Sequence, residues 1–539
     1  MSNTEFNLLY EPWVVVITNQ GEQKEVSLLD AFEHAHEYRS LAGELPTQDF
    51  AVLRLLLAAL YATFMRADVD GKPDKVDSAD KALLRWKQLW DAGVFPLKAI
   101  KARLIPYEDR FYLFHPERPF YQVASLAQGT EYSAAKLIGD LSESGNKPRL
   151  FPLRTGNAKE CLSNAEAARW LLYLNAFDDT SAKPSVRGAG LPSVGAGWLG
   201  KLGLVAIEGK TLFETLLLNF VLLNENGDVF GASKATWELD DAHQKERVPI
   251  VLPTDPLELL TLQSRRILLK RESGLVVGYL LLGGDFFEKE NAFIEQMTTW
   301  RKDTTTKTDI YNPRRHREAR QVWREFSALL AQTSEAQRRP GIVSWMATLR
   351  TEGLIEQKLF KLRIAGIQFA DKDFYVDGII SDSLTMSTSL LTNLGSGWID
   401  EIASLLDTTE KCVWWLGVLA QDIALALGND DERNRAGVKA AAQERAYFAL
   451  DIPFRTWLAQ LEPETDTHTE KQEAWLVEMR GIILNIGDDL VEEAGEQAIV
   501  GIYKAGENTA TIENAPRAFR KFRSRIYQLC NPSERGINE

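Results

Sequence analysis

The sequence predicts an α+β fold: a large mixed N-terminal domain with irregular loops, followed by a C-terminal four-helix bundle. The 539 residues are enough for at least two hydrophobic cores. Residues 1–394 mix short apolar runs typical of strands with helical runs and loops rich in Gly and Pro. Over residues 395–539 the pattern changes to amphipathic helical segments joined by polar linkers. We therefore place the domain boundary after Leu394.

The N-terminal domain opens with a predicted strand and two helices. Residues 5–17 contain the apolar positions of a strand and end in VVVI. A strongly apolar helix is predicted over 47–66, with Thr47 as its N-cap, and another over 79–92. The N-terminus lacks the features of a signal peptide, and the apolar runs are short for a membrane span. We therefore expect a cytoplasmic protein with no membrane partner.

The centre of the chain, 144–219, places one helix between two loops. The first loop is basic and contains Phe151 as an isolated aromatic residue. Ser163 and Glu166 form a capping-box pattern at the start of the helix. The second loop, 183–203, is rich in glycine, which lets a backbone approach a ligand closely. The loops are either ordinary surface turns or a backbone-lined surface that lies against phosphates or a nucleic-acid groove.

The glycine-rich loop does not match a nucleotide-binding motif. Its run GAGWLGK at 195–201 lacks the spacing of a P-loop and the Ser or Thr that would follow the lysine. The run does contain GxGxxG, but no acidic residue follows about twenty positions later in a convincing strand. A lone match of this kind is weak support for a dinucleotide site.

Two hairpins and a basic segment follow. Strands are predicted on both sides of a turn at 272–274, and a second pair flanks a turn at 370–373. Residues 300–324 are the most basic part of the N-terminal domain, which suits either phosphate contact or a solvated face. Aromatic residues interleave with these basic residues and would allow base stacking. They are Trp300, Tyr311 and Trp323.

The C-terminal domain is predicted as four amphipathic helices. The helical patterns begin at Gly397, Val438, Lys471 and Pro516. The last helix carries five basic residues over 517–525, which we interpret as a solvated positive face.

Composition limits the possible functions. The net charge of −14 argues against a nucleic-acid-binding protein, although a local basic patch can act within an acidic chain. Cys161, Cys412 and Cys530 are too far apart in sequence to form a disulfide framework or a zinc site by spacing. Reduced thiols are therefore expected, and we predict no metal and no cofactor.

Several motifs occur in a characteristic order along nearly the whole chain. FNLLYEPWVVV stands near the start, HPERPFYQV at 115–123, and NAEAARWLL and GAGWLGKLG in the central region. SRRILL at 264–269, NPRRHREARQVWR at 312–324 and AQERAYF at 442–448 follow. None of these motifs is specific alone, but the series resembles the CasA family, the large subunits of the type I-E CRISPR surveillance complex Cascade.

The resemblance implies a protein that is not an enzyme and has no catalytic residue. CasA-like subunits sit at the foot of Cascade and recognise the protospacer-adjacent motif (PAM) in duplex DNA. They help open the duplex so that guide RNA can pair, and they dock the helicase-nuclease that degrades the target. The implied partners are the other Cascade subunits and CRISPR RNA, target double-stranded DNA, and the helicase-nuclease.

The resemblance also implies a residue group that contacts the complex or the guide. In the family an aromatic residue on the first central loop is important for the complex, and Phe151 occupies that place. Basic residues stand beside it on the same loop: Lys147, Arg149 and Arg154.

A second implied group reads the PAM. The family's glycine loop enters the minor groove, where readout is degenerate and depends on close fit, so small residues suit it. Its counterpart here is Gly188 with Gly190, or alternatively Gly195 with Gly197. The family's lysine finger enters the same groove and corresponds to Arg301 or Lys302.

The third implied group is a wedge. In the family a hairpin tip that usually bears a glutamine inserts beneath the PAM and splits the first base pairs. The matching turn at 370–373 contains Asp371, Lys372 and Asp373 but no glutamine, which puts the wedge chemistry in doubt but not its steric action. Because two aspartates would repel phosphate, Lys372 is the expected contact.

Two other functions remain open on the sequence. A nucleotide-binding enzyme could use the glycine-rich loop, but it would need clustered carboxylates or a lysine followed by Ser or Thr, and neither is evident. A helical scaffold without DNA contact would suit the negative net charge.

Overall fold

The computed structural model describes residues 4–139, 141–143, 148, 151–180, 195–231, 233–239, 252–306, 308–330, 338–370, 372–505 and 510–531. It confirms the α+β class, with small sheets and helices followed by a helical bundle. The chain forms two compact units. The N-terminal unit comprises 1–320, 332–356 and 360–383, and the C-terminal unit comprises 321–331, 357–359 and 384–539. A single boundary after Leu394 stays a prediction.

The helices are α1 (Leu28–Glu33), α2 (Pro46–Phe64), α3 (Ala79–Ala92), α4 (Leu97–Leu104), α5 (Ala134–Leu137), α6 (Asn157–Glu160), α7 (Asn164–Phe177), α8 (Leu212–Leu218), α9 (Pro256–Leu260), α10 (Phe326–Leu330), α11 (Gly341–Thr351), α12 (Ser396–Ala426), α13 (Glu432–Ala459), α14 (His468–Val500) and α15 (Ala515–Leu529).

The strands are β1 (Glu5–Asn7), β2 (Val14–Thr18), β3 (Gln23–Val26), β4 (Tyr38–Leu41), β5 (Tyr112–Phe114), β6 (Thr130–Ser133), β7 (Leu204–Glu208), β8 (Arg265–Glu272), β9 (Leu275–Gly283), β10 (Trp300–Lys302), β11 (Tyr311–Pro313), β12 (Leu359–Ala370), β13 (Tyr375–Ser387), β14 (Ile502–Ala505) and β15 (Ala510–Glu513).

The strands form several small sheets rather than one large one. The three-stranded sheets have the orders β3-β2-β4, β6-β9-β8 and β13-β12-β7, and the pairs are β1-β5, β10-β11 and β14-β15. In the β13-β12-β7 sheet, β12 and β7 are antiparallel, with Arg363 opposite Ala206. This sheet joins the end of the glycine-rich region, which leads into β7, to the hairpin of β12 and β13.

The single strand predicted over 5–17 is wrong, because the chain turns between β1 and β2. The backbone oxygen of Asn7 accepts hydrogen bonds from the amides of Tyr10 and Glu11, at 3.0 and 2.8 Å. Its side-chain oxygen accepts another from the amide of Leu9 at 2.9 Å. One asparagine therefore organises a turn that the apolar pattern did not reveal.

Helix α2 forms the central apolar element of the N-terminal unit. It packs against α4, α7 and α9. Thr47 is not its N-cap: the helix begins at Pro46, and the capping position is Leu45, without a side-chain hydrogen bond. By length and composition α2 could cross a membrane, although the sequence analysis expected no apolar run long enough to do so. The apolar part of this helix is entirely buried within the protein. Its apolar surface therefore lines a core.

Several local predictions are confirmed. Helix α3 has the predicted bounds, and Ser163 and Glu166 form the capping box of α7. Strands β8 and β9 meet at Ser273 and Gly274, which have φ values of 50° and 84°. Both residues thus adopt the left-handed backbone that a tight two-residue hairpin turn requires.

The C-terminal unit contains the four predicted bundle helices, α12 to α15. Gly417 lets α12 approach α13, since an added Cβ would lie 2.8 Å from Cγ of Lys439. Gly487 gives the same close approach to Phe522 between α14 and α15. The indole of Trp475 donates to Thr409 at 3.1 Å, which joins α14 to α12. The β14-β15 hairpin before α15 was not predicted.

The bundle also brings together two cysteines that are distant in sequence. The sulfur atoms of Cys412 in α12 and Cys530 after α15 lie 4.0 Å apart, and both residues are buried. Spacing along the chain gave no indication of this proximity.

Candidate nucleic-acid interface

One groove in the N-terminal unit collects residues from distant parts of the sequence. Its volume is about 640 Å³. Of its fourteen lining residues, six are basic and two are acidic. We call it the basic groove, and it is lined by Thr180, Gly195, Ala196, Lys201, Phe286, Phe287, Glu288, Lys289, Arg301, Pro313, Arg314, Arg315, Arg317 and Asp373.

The groove joins three of the regions singled out in the sequence. Gly195 belongs to the glycine-rich loop, Arg301 to the basic segment, and Asp373 to the turn between β12 and β13. These positions are separated by more than a hundred residues from first to last, so only the tertiary fold brings them together. The excess of cations over carboxylates in the lining favours an anion as the ligand of the groove.

A buried tryptophan anchors the glycine segment, residues 195–201, to the unit. The indole nitrogen of Trp198 donates to the Glu295 carboxylate at 2.7 Å, and that carboxylate pairs with Arg54 at 2.9 Å. The Trp198 ring also packs on Phe287, with 4.4 Å between ring centroids. The segment is therefore a packed wall of the groove and not an open loop.

A different structural feature explains the glycine at each of the three positions of this segment. Gly195 has a φ of 66°, a left-handed backbone that favours glycine. A Cβ on Gly197 would lie 2.4 Å from the carbonyl oxygen of Ala176 at the end of α7. A Cβ on Gly200 would meet the Phe369 ring at 3.2 Å. The GxGxxG match thus reflects packing, and the alternative pair, Gly188 and Gly190, lies outside the described residues.

We expect Gly197→Ala to destabilise the fold more than Gly195→Ala. The first inserts a methyl group against backbone and should cost about 1–3 kcal/mol of unfolding free energy, as overpacking does. The second meets its nearest atom at 3.8 Å, so only the backbone strain of about 1 kcal/mol remains. Thermal melting of both variants measures the order.

A DNA-binding assay on the same glycine variants separates folding from contact. If Gly195→Ala melts almost like the wild-type protein but binds a PAM-bearing duplex more weakly, Gly195 contributes a contact. Equal losses on closed and strand-separated targets would remove the glycine segment from PAM readout. Gly197 is buried, so a direct ligand contact at that position is disfavoured.

A fully buried arginine also holds the glycine segment in place. Arg265 in β8 pairs with Asp178 at 2.5 Å and donates to the carbonyl oxygen of Gly195 at 2.7 Å. Its guanidinium also reaches the backbone oxygen of Asp179, whose carboxylate pairs with Lys136 at 2.5 Å. Each of these buried aspartates therefore has a cationic partner, as buried charge requires.

The structure separates the two residues proposed for the lysine finger. Arg301 and Lys302 are neighbours in β10, where successive side chains point to opposite faces. Arg301 is exposed and lines the basic groove. Lys302 forms an ion pair with Asp309 at 2.7 Å. Of the two, Arg301 has the position for a groove contact.

The aromatic residues of the basic segment do not serve for base stacking. Trp300, Tyr311 and Trp323 are 5%, 7% and 0% exposed. Trp300 and Tyr311 pack on Phe293, with ring centroids 5.1 and 5.9 Å away. Their interpretation as stacking residues is wrong, because they belong to the hydrophobic core.

The cations that line the groove influence one another's pKa. Burial, together with Arg265, Lys289 and Arg315 nearby, lowers the pKa of Lys201 to about 8. Burial and neighbouring arginines also lower the pKa of Arg314. Each cation thus raises the energy of the others, and an anion placed among them would relieve the repulsion.

The hairpin tip, residues 372–374, is held at the edge of the groove. The amide and hydroxyl of Thr180 donate to the backbone oxygens of Asp373 and Lys372, both at 2.9 Å. Arg315 donates through both terminal nitrogens to the Asp373 carboxylate, each at 2.8 Å. Lys372 is exposed, and Asp371 lies outside the described residues.

The bidentate pair answers the objection that aspartates at this turn repel phosphate. As long as Asp373 is paired with Arg315, its negative charge is largely balanced within the protein. Lys372, expected to be the contacting residue, is not a lining residue of the groove but is exposed beside it. Its role stays a prediction.

The first central loop presents its aromatic residue to solvent. Phe151 is 94% exposed and Leu153 is 84% exposed. Arg154 instead pairs with Glu166 at 2.9 Å and joins the loop to the start of α7. Arg154 is therefore engaged within the protein, whereas Lys147 and Arg149 lie outside the described residues.

We expect Phe151→Ala to weaken complex assembly or target capture while leaving the fold intact. An exposed side chain has little packing to lose, so the unfolding free energy should change by less than about 0.5 kcal/mol. Melting curves and reconstitution of the complex measure the two effects. As a contrast, Phe177→Ala removes a ring that is 1% exposed and should cost about 3–5 kcal/mol. Unfolding of the Phe151 variant would contradict an interface role.

Sequence reasoning missed part of the groove. Lys289 follows β9 in a stretch of mixed charge that gave no signal. Lys201 was considered only as part of a failed P-loop match. Across the part of the chain that the structure describes, no group of three or more His, Cys, Asp or Glu side chains is placed to hold a metal ion.

The fold and the groove define an α+β protein with a C-terminal helical bundle and a basic cleft in its N-terminal unit. A family model described as CRISPR-associated protein Cse1 matches residues 7–486. The chain therefore belongs to the CRISPR-associated Cse1 family, which confirms the resemblance seen in the sequence.

Individual relatives agree with this assignment. The chain is 28% identical over 499 residues to the CRISPR-associated protein CasA/Cse1 of Thermus thermophilus, covering 89% of this chain and 91% of the relative. The crystal structure of Thermobifida fusca Cse1 is 32% identical, with a TM-score of 0.83 and coverage of 98% and 99%. A chain of a CRISPR RNA-guided surveillance complex is 18% identical, with a TM-score of 0.71 over 97% and 99%, and shows the shared fold.

Proposed function

We propose that this chain is the large subunit of a type I-E CRISPR surveillance complex and that its basic groove contacts target duplex DNA at the PAM. The observation that carries the proposal is the convergence of Gly195, Arg301 and Asp373 on one groove. They come from the three segments to which the resemblance assigns PAM reading, the finger and the wedge. Membership of the Cse1 family supports the same conclusion.

The charges of the groove suit this function. The six basic side chains that line it would contact backbone phosphates, which position a protein on DNA without reading sequence. The chain as a whole carries a net charge of −14, so binding is directed to the groove and disfavoured elsewhere. Small residues near Gly195 leave room for close approach to base edges.

The proposal includes the partners expected of such a subunit. The hairpin tip would act as a steric wedge that helps the target open for pairing with CRISPR RNA. Other Cascade subunits would hold the chain in the complex, and a helicase-nuclease would dock on it. The subunit itself would not be an enzyme.

A gel shift with the assembled complex tests the proposal. Three targets are compared at several salt concentrations: a duplex with the correct PAM, the same duplex with an altered PAM, and a target whose strands are already separated. We expect Arg317→Glu to weaken binding to the first target far more than to the third. Arg39→Glu is the matched control, since Arg39 is exposed on β4 and does not line the groove. Equal effects of Arg317→Glu on all targets would contradict the proposal.

One observation favours a second function, a nucleotide-binding enzyme. A volume of about 640 Å³ falls within the usual size of small-molecule pockets. Against it, Gly197 and Gly200 are buried by packing and do not form a phosphate cradle. Turnover of ATP by the purified chain with Mg²⁺ would favour the enzyme, and we expect none.

A further inference from the structure

Arg315 has two kinds of partner within reach of the same guanidinium group. It lines the basic groove, and it also holds Asp373 of the hairpin tip through two hydrogen bonds of 2.8 Å. The paired side chains remain 32% and 29% exposed. A ligand in the groove can therefore reach the guanidinium without any rearrangement of the core.

We propose that a phosphate group of a bound DNA strand displaces Asp373 from Arg315 and thereby releases the hairpin tip. This exchange rests on the proposed function, because it takes the groove ligand to be DNA. Arg315 is then a positioning residue that couples occupation of the groove to movement of the tip.

The geometry of the pair makes the exchange chemically simple. A guanidinium donates two parallel hydrogen bonds equally well to a carboxylate or to a phosphate. The Phe369 ring lies 5.2 Å from the guanidinium carbon of Arg315 and supports it from one side. Since this support does not involve Asp373, Arg315 can keep its position after the carboxylate has left.

The charge distribution favours phosphate over the carboxylate. Asp373 pairs with Arg315, but Lys201 and Lys289 line the same groove, and Lys201 is close enough to Arg315 and to Lys289 for its charge to be repelled by both. A phosphate at the same place can accept hydrogen bonds from several cations at once. The exchange therefore replaces one ion pair by a cluster of favourable interactions, as in other anion sites.

The hairpin tip itself is poised to move. Lys372 and Asp373 have φ values of 59° and 67°, a left-handed backbone that costs of order 1 kcal/mol per residue outside glycine. Besides Arg315, two hydrogen bonds from Thr180 hold these residues. Loss of the ion pair leaves a strained turn held by neutral hydrogen bonds, among them the two from Thr180 and the one from the amide of Phe374 to the backbone oxygen of Ala370 at 3.1 Å.

The amide of Thr180 provides a direct readout. It donates to the backbone oxygen of Asp373 at 2.9 Å, so its hydrogen exchange should quicken when the tip leaves. The amide of Gly197 is the internal control, because it donates to Asp178 at 2.9 Å in the same region and does not involve the tip. We expect about tenfold faster exchange at Thr180 and less than twofold at Gly197 when a ligand saturates the groove.

The experiment uses the full chain with two probes, a short PAM-bearing duplex and inorganic pyrophosphate, at constant ionic strength. Asp373→Asn removes the competing charge, so Thr180 should exchange fast without ligand and duplex affinity should rise about three- to tenfold. Asp309→Asn is the matched control, since it makes the same charge change beside Lys302 and outside the groove lining. Its effect on affinity should stay below about twofold.

A second variant tests the exchange independently, in case Asp373→Asn impairs folding. Arg315→Lys keeps the positive charge but loses the two-pronged geometry, so it should also quicken Thr180 exchange without ligand. Both variants should melt close to the wild-type protein.

The outcomes distinguish the proposed exchange at Arg315 from the proposed function of the groove. If the duplex binds with salt dependence but Thr180 stays protected and Asp373→Asn has no effect, the exchange is overturned and the proposed function stands. If pyrophosphate alone quickens Thr180 exchange and the duplex does not bind, the proposed function and the DNA source are both overturned. If neither probe changes Thr180 exchange and neither variant does, Arg315 serves only the fold.

Discussion

Replacing Arg301 by glutamate is expected to lower the affinity of the assembled complex for a PAM-bearing duplex by about ten- to a hundredfold at moderate salt. Arg301 is exposed and lines the basic groove, so the change removes a cation and places a negative charge beside the DNA backbone. Binding isotherms at several salt concentrations measure the effect. The slope of log affinity against log salt should fall by about one unit, since roughly one phosphate contact is lost.

The adjacent residue supplies the control. Lys302→Glu changes the same charge by the same amount, one position along β10, but Lys302 pairs with Asp309 at 2.7 Å and is not a lining residue of the groove. We expect less than about a threefold loss of affinity, as for an exposed ion pair. A larger effect at Lys302 than at Arg301 would show that Lys302 leaves Asp309 to enter the DNA, and the finger would then be Lys302.

Replacing Arg265 by alanine should lower the free energy of unfolding by about 3–5 kcal/mol, because it removes the buried ion pair between Arg265 and Asp178 while the Asp178 carboxylate stays buried. The change also removes the hydrogen bond that positions Gly195. Denaturant titration and melting measure the loss, and DNA binding should fall with it. Arg265→Met combined with Asp178→Asn should recover part of the stability, since both charges of the buried pair are then removed together.

Arg271→Ala is the matched control for Arg265. Arg271 lies in the same strand β8 and forms an ion pair with Glu5, but it is 25% exposed. Its removal should cost less than about 1 kcal/mol, as solvent screens exposed pairs. If Arg265→Ala and Arg271→Ala lower the unfolding free energy equally, burial of the Arg265 pair makes no additional contribution to stability.

Local features of the fold were predictable because they depend on neighbouring residues. The capping box at Ser163 and Glu166 and the tight turn at Ser273 and Gly274 are short-range signals with defined backbone requirements. Helix α2 was predicted within two residues of its bounds from apolar content alone. The predicted N-cap at Thr47 is wrong, because the helix begins one residue earlier, at Pro46, whose ring already fixes a helical first turn.

The functional residues were only partly predictable. The sequence analysis named Gly195, Arg301 and Asp373. Their convergence on one groove could not be predicted from the sequence, since it depends on how β10 and the hairpin of β12 and β13 pack beside the end of α7. Charge pattern alone could not separate Arg301 from Lys302. The two residues are distinguished because successive side chains of a strand point to opposite faces, and β10 was not predicted from the sequence.

The sequence by itself determined the α+β class, helices α2, α3 and α7 of the N-terminal unit, the four bundle helices and the family to which the chain belongs. These follow from periodicity, caps and ordered motifs, which are properties of segments. Only the tertiary structure decided that Trp300 and Tyr311 are core residues, that Gly197 is packed against α7, and that Cys412 lies beside Cys530. The physical reason is that burial and proximity arise from contacts between segments distant in sequence, and the same residue type serves a core or a surface according to what packs against it.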